Sequence, residues 1–240
     1  MVSRTTYKVK RKLCAYQSTF NHTNRRPAYE SELFWRGLIG LIGRRNSAVD
    51  PCGLRWLLEE NLPSKEPERA MLPLHIVATD LLSGAEVRLS SGSAVDAVLA
   101  SCAIPAAFPP VRIDERYLID GAVASNTPIR AAMELGASRL IVLPTGFACT
   151  LESPPRGAIA IMLHAITLLI AHQLVTELER YAGQVEIVTV PPLCPLSVSP
   201  YDFSRASELI ERAAAQTPRW LDQGGMGKHG IPGALRPHED

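Results

Sequence analysis

The sequence YLIDGA, residues 117–122, joins the end of an apolar strand to a sharp turn of the backbone. Apolar runs at residues 74–79 and 140–143 lie on either side of it and also predict strands. Asp120 is therefore predicted at the end of a core strand, where the chain turns. An aspartate before a glycine is either a solvated turn residue or a general base that a rigid scaffold holds in a cleft. The dipeptide by itself favours the turn, because Asp-Gly is a common turn pair.

Composition predicts one globular α/β domain, because the 240 residues are 46% hydrophobic and 20% charged. A formal charge of +1 gives no overall field for nucleic acid, and no base-reading motif is present, so nucleic acid is not an expected partner. The odd number and wide spacing of the cysteines argue against a disulfide framework and a structural metal site, and favour a reducing cytoplasm. These residues are Cys14, Cys52, Cys102, Cys149 and Cys194.

The N-terminal segment differs in composition from the rest of the chain. Residues 1–26 are rich in lysine and arginine and contain no acid, so residues 1–31 are predicted to form a basic, disordered arm. An apolar helix is predicted over residues 32–43, too short to span a bilayer. It either packs in the core or lies in a membrane interface with Phe34 and Trp35 in lipid.

Strands and helices alternate from residue 74 to residue 221, which predicts an α/β sandwich with a mostly parallel sheet. The helix predicted over residues 156–181 is the most apolar part of the chain. Polar residues interrupt it, which favours a buried helix over a membrane span. His164 and His172 lie on it about two turns apart, too distant for a metal pair, and are interpreted as core or boundary residues. The predicted strands cover residues 74–82, 86–89, 111–113, 116–119, 139–144 and 185–190, and the other helices cover residues 93–103, 127–135 and 204–221.

Several short motifs, taken in order, resemble the latter two thirds of a patatin-like phospholipase domain. The similarity covers roughly residues 34–225. The motifs are LHIVATD at 74–80, ASCAIP at 100–105, IDGA at 119–122 and NTPI at 126–129, followed by segments at 142–146, 191–195 and 199–203.

The resemblance implies a three-layer α/β/α sandwich and a serine lipid acyl hydrolase that acts on lipids or acyl esters without a cofactor or metal. In that family a serine in a Gly-x-Ser-x-Gly elbow attacks the ester, and the aspartate of an Asp-Gly-Gly/Ala motif accepts its proton. An early glycine-rich turn supplies the oxyanion hole. Asp120, Gly121 and Ala122 match the second motif, so the resemblance assigns Asp120 as the general base of the dyad.

The nucleophile of the dyad is not found. No serine in the chain has glycine both two residues before and two residues after it, and the glycine-rich turn is missing from its expected place. Ser101 and Cys102 are the nearest alternatives, but they fall at a predicted packed helix end, where cysteine is commonly inert. We therefore expect that this chain alone does not hydrolyse lipid esters by the family's route.

The departures lead to a prediction of domain organisation: a truncated domain over residues 32–225 that lacks the N-terminal strands of its sheet, and a flexible tail over residues 226–240. Missing strands would leave an exposed sheet edge and favour self-association. Three accounts stay open. The chain is a non-catalytic remnant, a lipid- or membrane-binding scaffold, or a hydrolase completed by another chain or by an unrecognised nucleophile. The predicted location is cytoplasmic, with peripheral membrane contact under the second account.

Overall fold

The computed structural model describes residues 47, 49–145, 149, 151, 153–198 and 203–236. The chain divides into two compact units, unit 1 over Met1–Ser125 and unit 2 over Asn126–Asp240. The arm predicted over residues 1–31 lies outside the described residues, as does the apolar helix with Phe34 and Trp35.

Unit 1 is built around a four-stranded sheet with the order β2-β1-β4-β3, in which every neighbouring pair is antiparallel. Short connections explain the pairs β1–β2 and β3–β4, because a chain that reverses within a few residues pairs its strands antiparallel, and the two hairpins meet through β1 and β4. Its helices and strands are α1 (Cys52–Asn61), β1 (Ile76–Asp80), β2 (Glu86–Leu89), α2 (Ala94–Ser101), β3 (Val111–Ile113), β4 (Arg116–Asp120) and α3 (Ala122–Ser125), with a 3-10 turn at Pro67–Arg69.

Helix α2 covers one face of this sheet. Ser93 begins it, because the Ser93 hydroxyl oxygen accepts a hydrogen bond of 3.2 Å from the Asp96 N–H. Ala100 of this helix is fully buried beside Ala78 of β1 and Leu118 of β4. These three residues form the centre of the unit 1 core, with partly buried side chains from β2 and β3 around them. The core thus fixes the position of β4, the strand that ends in Asp120.

Unit 2 contains one parallel pair of strands joined through a long helix. Its elements are α4 (Ile129–Glu134), β5 (Arg139–Val142), α5 (Ala158–Tyr181), β6 (Glu186–Thr189) and α6 (Ala206–Asp222), with 3-10 turns at Phe203–Arg205, Gly225–Gly227 and Gly233–Leu235. Leu140 of β5, Ile187 of β6, and Leu174 and Leu178 of α5 pack together in its core. Leu235, within the segment predicted as a flexible tail, is buried in the same core with 4% of its surface exposed.

The predicted α/β class is confirmed, and so are the predicted strands and helices within the described residues, to within a few positions. Strand direction differs from the prediction. The sheet of unit 1 is antiparallel, and the pair β5–β6 is the parallel one within the described residues. The reason is that strands predicted as hairpins at residues 74–89 and 111–119 make up the whole of that sheet. Self-association through a sheet edge stays a prediction.

The prediction that the long helix is buried was wrong for the first half of α5. Leu174 and Leu178 in its second half are buried, but Ile161, Met162 and Leu169 expose 54%, 46% and 70% of their surface. An apolar run predicts a helix from its residue types, whereas burial depends on what packs against each face.

Candidate active site

Asp120 is the last residue of β4 and lies opposite Ala78 in the register of β1 and β4. The two residues before it, Leu118 and Ile119, expose 1% and 8% of their surface and anchor the strand end in the core. Asp120 itself is half-buried. The strand therefore carries the carboxylate from the core to a partly enclosed position at the end of the sheet.

Gly121 is required by close approach of two backbones. A Cβ atom at this position would lie 3.0 Å from the carbonyl carbon of Val77 in β1, and closer still to the Val77 oxygen. Gly121 is not among the glycines with positive φ, and the chain continues into α3 instead of returning as a hairpin. Asp120-Gly121 is therefore a turn from β4 into α3 and not the turn of a hairpin.

The Asp120 carboxylate is held by the start of α3. The Ala122 N–H donates a hydrogen bond of 2.8 Å to Asp120 Oδ1. Within the described part of the chain, this is the hydrogen bond that the Asp120 side chain accepts, and Oδ2 accepts none. One oxygen fixes the orientation of the group, and the other is available to a proton donor.

Thr79 of β1 holds the backbone of this turn from inside the protein. It exposes 1% of its surface, and its hydroxyl donates to the Asp120 carbonyl oxygen at 2.8 Å. The Thr79 hydroxyl oxygen in turn accepts a hydrogen bond of 3.1 Å from the Ala124 N–H. One buried hydroxyl thus links the end of β4 to α3. Sequence reasoning missed this residue, although a threonine within an apolar strand is itself a signal, because buried polar groups need partners.

The segment after α2 holds the turn from the other side. The Asp120 N–H donates to the Ala103 carbonyl oxygen at 3.0 Å, and the Gly121 N–H donates to the Ser101 carbonyl oxygen at 3.4 Å. Ser101 and Cys102 are thereby placed next to Asp120, as their closeness in the motif order suggested. The fold brings together three of the residues that sequence analysis selected.

Burial raises the pKa of the Asp120 carboxyl above its ordinary value, and the Ala122 N–H bond opposes this effect. A carboxylate in water is a weak base, so a raised pKa brings the group closer to the strength that proton abstraction near neutral pH needs. Burial thus makes the Asp120 carboxylate more basic than a carboxylate in water.

Cys102 is exposed, contrary to the expectation of a packed and buried thiol. The protein around it raises the pKa of the Cys102 thiol, and the negative charge of Asp120 raises it further. At neutral pH the sulfur therefore stays protonated and is not an activated nucleophile. The expected inertness of Cys102 thus rests first on the partial desolvation of its thiol by the surrounding protein and second on the Asp120 charge.

Residues suited to metal binding are not clustered in the described ranges, where no group of three or more histidine, cysteine, aspartate or glutamate side chains could hold an ion. His172 is exposed on α5 and His164 is half-buried, so the expectation of core or boundary positions fits His164 better.

A comparison of the sequence with models of protein families gives a match that includes this site. Residues 6–133, more than half of the chain, match the model of the patatin-like phospholipase family. The chain belongs to this family. The match contains Asp120, Gly121 and Ala122, and it ends within α4. It also begins inside the segment predicted as a basic arm. The prediction that only the latter two thirds of the phospholipase domain are present stays a prediction.

Membership of the patatin-like phospholipase family supports lipid acyl hydrolysis as the activity of the family and lipids as its substrates. The similarity noted at residues 142–146, 191–195 and 199–203 lies beyond the matched range. The match therefore covers the described part of unit 1 and the first residues of unit 2.

Proposed function

We propose that Asp120 is the general base of a Ser/Asp dyad and that this chain supplies the base without supplying the nucleophile. The observation that carries the proposal is the state of the Asp120 carboxylate. One of its oxygens is fixed by Ala122, the other accepts no bond from the described residues, and burial raises its pKa. This arrangement lies within the range that matches a family of lipid hydrolases.

In the reaction of a complete dyad, Asp120 Oδ2 accepts the proton of the nucleophilic serine hydroxyl as the hydroxyl oxygen bonds to the acyl carbonyl carbon. An alcohol is a weak nucleophile unless such a base lies within hydrogen-bond reach. The carbonyl oxygen becomes an oxyanion, which fixed N–H donors must stabilise. The proton on Asp120 is then donated to the departing alcohol oxygen as the acyl bond breaks. Thr79 and Gly121 position the carboxylate and do not take part in the chemistry.

The second part of the proposal concerns activity. No serine of the 240 residues stands between glycines in the elbow pattern, and the thiol of Cys102 is held protonated by its surroundings. Loss of one oxyanion donor costs about 2.7 to 4 kcal/mol of transition-state stabilisation, and loss of the nucleophile removes the mechanism. The chain alone is therefore expected not to turn over lipid esters through a dyad.

The test is to label the purified chain with a fluorophosphonate and to measure turnover of phospholipid and of a short-chain ester. Asp120→Asn is compared with Asp80→Asn, a strand-end aspartate at the surface of the same sheet. We expect no labelling and no turnover by the native chain. Labelling that disappears in Asp120→Asn but persists in Asp80→Asn would show a complete dyad and refute the second part.

A second function, binding to a lipid surface, is favoured by the exposed face of α5. Ile161, Met162, Ile166, Leu168 and Leu169 all expose more than a third of their surface. At 3.6 residues per turn these five positions fall within an arc of about 160° on one side of the helix. The opposite side carries Thr167, which exposes 6%. Large apolar patches on a protein surface mark interaction sites, and lipids are the substrates of this family.

The residues in the second half of α5 favour a helix that lies along a membrane surface over one that crosses it. Residues 160–181 are long and apolar enough to span a bilayer by length and composition, and 17% of the most apolar 18-residue window is buried. However, Leu174 and Leu178 pack with β5 and β6, and the exposed side beyond residue 171 carries His172, Glu179 and Arg180. An apolar stripe that ends in polar residues suits an interfacial helix.

Flotation with phosphatidylcholine vesicles tests this function. The double variant Ile161→Glu/Leu169→Glu is expected to lose flotation, because a charge in the acyl region is costly. Leu135→Glu changes a leucine of unit 2 that exposes 51% of its surface but is not part of α5, and this variant is expected to float as the native chain does. Trp35→Ala tests the predicted contact through Phe34 and Trp35. Flotation unaffected by the α5 variant would exclude this face as the lipid contact.

A further inference from the structure

Two cysteines of unit 2 lie side by side, although 45 residues separate them in sequence. The Sγ atoms of Cys149 and Cys194 are 3.8 Å apart, and the Cys149 thiol is oriented to donate to the Cys194 sulfur. Cys149 follows β5 and Cys194 follows β6. Because β5 and β6 are parallel, both cysteines come after the carboxyl ends of adjacent strands.

The contact between the two loops is fixed by hydrogen bonds and does not depend on the sulfurs alone. The Cys149 N–H donates to the Leu196 carbonyl oxygen at 2.9 Å. The Leu196 N–H donates to Cys149 Sγ at 3.4 Å. Both cysteines are partly exposed, so a small oxidant can reach the sulfurs. A disulfide requires the sulfurs to approach to about 2.05 Å, which is a side-chain movement of less than 2 Å.

We propose that Cys149 and Cys194 are a redox modification site that closes to an intramolecular disulfide on exposure to a peroxide. One thiolate sulfur attacks a peroxide oxygen, the O–O bond breaks, and a sulfenic acid and hydroxide form. The second sulfur then attacks the sulfenic sulfur, and the S–O bond breaks with loss of water. In total, two thiols and one hydrogen peroxide give one disulfide and two waters, with two electrons passing from sulfur to oxygen.

Closure would join the two walls of an apolar cavity. This cavity has a volume of about 330 Å³. One wall contains Leu143 and Thr145, from the segment that leads to Cys149, and the other contains Leu193 and Leu196, which flank Cys194. The disulfide would therefore add a covalent link between segments that the hydrogen bonds of Cys149 and Leu196 already join. We infer that oxidation stabilises unit 2 and restricts opening of this cavity.

The local environment also sets the pH dependence of the reaction. Burial raises the pKa of the Cys194 thiol, and the hydrogen bond from Cys149 raises it further. Arg212 of α6 brings a positive charge to the loop of Cys194, because its guanidinium donates to the Pro195 carbonyl oxygen at 3.1 Å and lies 3.7 Å from the Glu208 carboxylate. Because the thiolate is the reactive species, oxidation is expected to be slow at neutral pH and faster at pH 9.

The experiment uses the full chain with Cys14→Ser, Cys52→Ser and Cys102→Ser, so that Cys149 and Cys194 are the remaining thiols. Hydrogen peroxide is the probe. We expect loss of both thiols, a mass decrease equal to two hydrogens, and a cross-linked Cys149–Cys194 peptide that dithiothreitol releases. The melting temperature should rise by about 5 °C or more, because a disulfide that closes a long loop restricts the unfolded chain.

The control adds Cys194→Ser to the same background. It should show oxygen addition at Cys149, no disulfide within the chain and no rise in melting temperature. Disulfides that link two chains, or stepwise oxygen addition at both sulfurs without a cross-link, would overturn the proposal. Equal melting temperatures of the oxidised and reduced forms would overturn the inferred stabilisation of unit 2.

Discussion

Asp80 and Asp120 end neighbouring strands of the same sheet, yet their surroundings give the two carboxylates opposite properties. Asp80 Oδ1 accepts three hydrogen bonds of 2.9–3.0 Å, from the N–H groups of Leu82 and Ser83 and from the Ser83 hydroxyl. These bonds, led by that of the Ser83 N–H, lower the pKa of Asp80. Asp120 accepts one such bond within the described residues, and burial raises its pKa.

The difference shows how one residue type serves as a turn cap in one place and as a candidate base in another. At Asp80 the loop wraps its donors around a solvent-facing carboxylate, which stabilises the charged form. At Asp120 the chain turns directly into α3, and the Ala122 N–H is the donor that reaches the carboxylate within the described residues. The following predictions test this contrast from the largest expected effect to the smallest.

Substitution of the glycine in the turn after each aspartate should separate the free-energy cost of a steric clash from that of an unfavourable backbone conformation. Gly121→Ala is expected to destabilise the protein by about 3 kcal/mol, because Cβ collides with the Val77 backbone. Gly84→Ala, in the Asp80 turn, is expected to cost about 1 kcal/mol, because its φ of +72° disfavours a side chain but the space is open. Urea denaturation measures both.

The control for this pair is Gly227→Ala, where Cβ meets nothing within 4 Å and no positive φ is found. Its effect should stay within about 0.5 kcal/mol. Equal losses in Gly121→Ala and Gly84→Ala would contradict the close approach of β1 and β4.

Removal of the buried hydroxyl should loosen the Asp120 turn without changing its shape. Thr79→Val removes the hydroxyl that bonds to the Asp120 carbonyl oxygen and to the Ala124 N–H, and is expected to cost about 2 kcal/mol. Thr79→Ser keeps the hydroxyl and should recover part of the loss. Chemical denaturation of the three proteins decides the point, and a Thr79→Val protein as stable as Thr79→Ser would remove Thr79 as the link to α3.

Neutralising each aspartate should change stability in opposite directions. The folded pKa of Asp80 is lowered, so its charge stabilises the fold above the unfolded pKa of about 3.9, and this contribution is lost as the pH falls through the folded pKa. The folded pKa of Asp120 is raised, so its contribution is present below the unfolded pKa and is lost as the pH rises through the folded pKa. Asp80→Asn should therefore destabilise the protein at pH 7, and Asp120→Asn should stabilise it.

Urea midpoints at pH 7 and pH 3 measure this prediction. The difference for Asp120→Asn should disappear at pH 3, below the unfolded pKa, whereas that for Asp80→Asn should shrink as the pH falls towards the lowered folded pKa of Asp80. Asp120→Asn retains an oxygen for the Ala122 N–H, so the comparison isolates the charge. Loss of stability in Asp120→Asn at pH 7 would mean that the carboxylate is a structural group like Asp80.

The smallest effect concerns Cys102, whose pKa is raised by partial desolvation of the thiol and by the Asp120 charge. In Asp120→Asn the second contribution disappears, so the thiolate fraction and the rate of alkylation by iodoacetamide should rise about two- to threefold. Cys52, whose pKa is raised chiefly by its hydrogen bond to Asp50, serves as the internal control. Peptide mass spectrometry resolves the two sites, and parallel changes at both would show a general opening of the structure.

Much of the secondary structure could be predicted because it depends on local patterns. The strand ending in Asp120, the hairpin before it and the helix begun by Ser93 follow from alternation, turn residues and a capping side chain. Burial was less predictable, as α5 shows. Leu169 is exposed and Leu174 is buried, although both lie in the same predicted helix. Which side of such a helix is covered depends on contacts that no local pattern contains.

The sequence by itself determined the α/β class, the Asp-Gly-Ala motif and the family, because these depend on residue types in order along the chain. Tertiary structure alone decided that Gly121 contacts β1, that Thr79 bridges β4 and α3, and that Cys149 meets Cys194. Each of these contacts joins residues more than 40 positions apart. The physical reason is that hydrogen bonds, close packing and burial act over a few ångströms in space, whatever the distance along the chain.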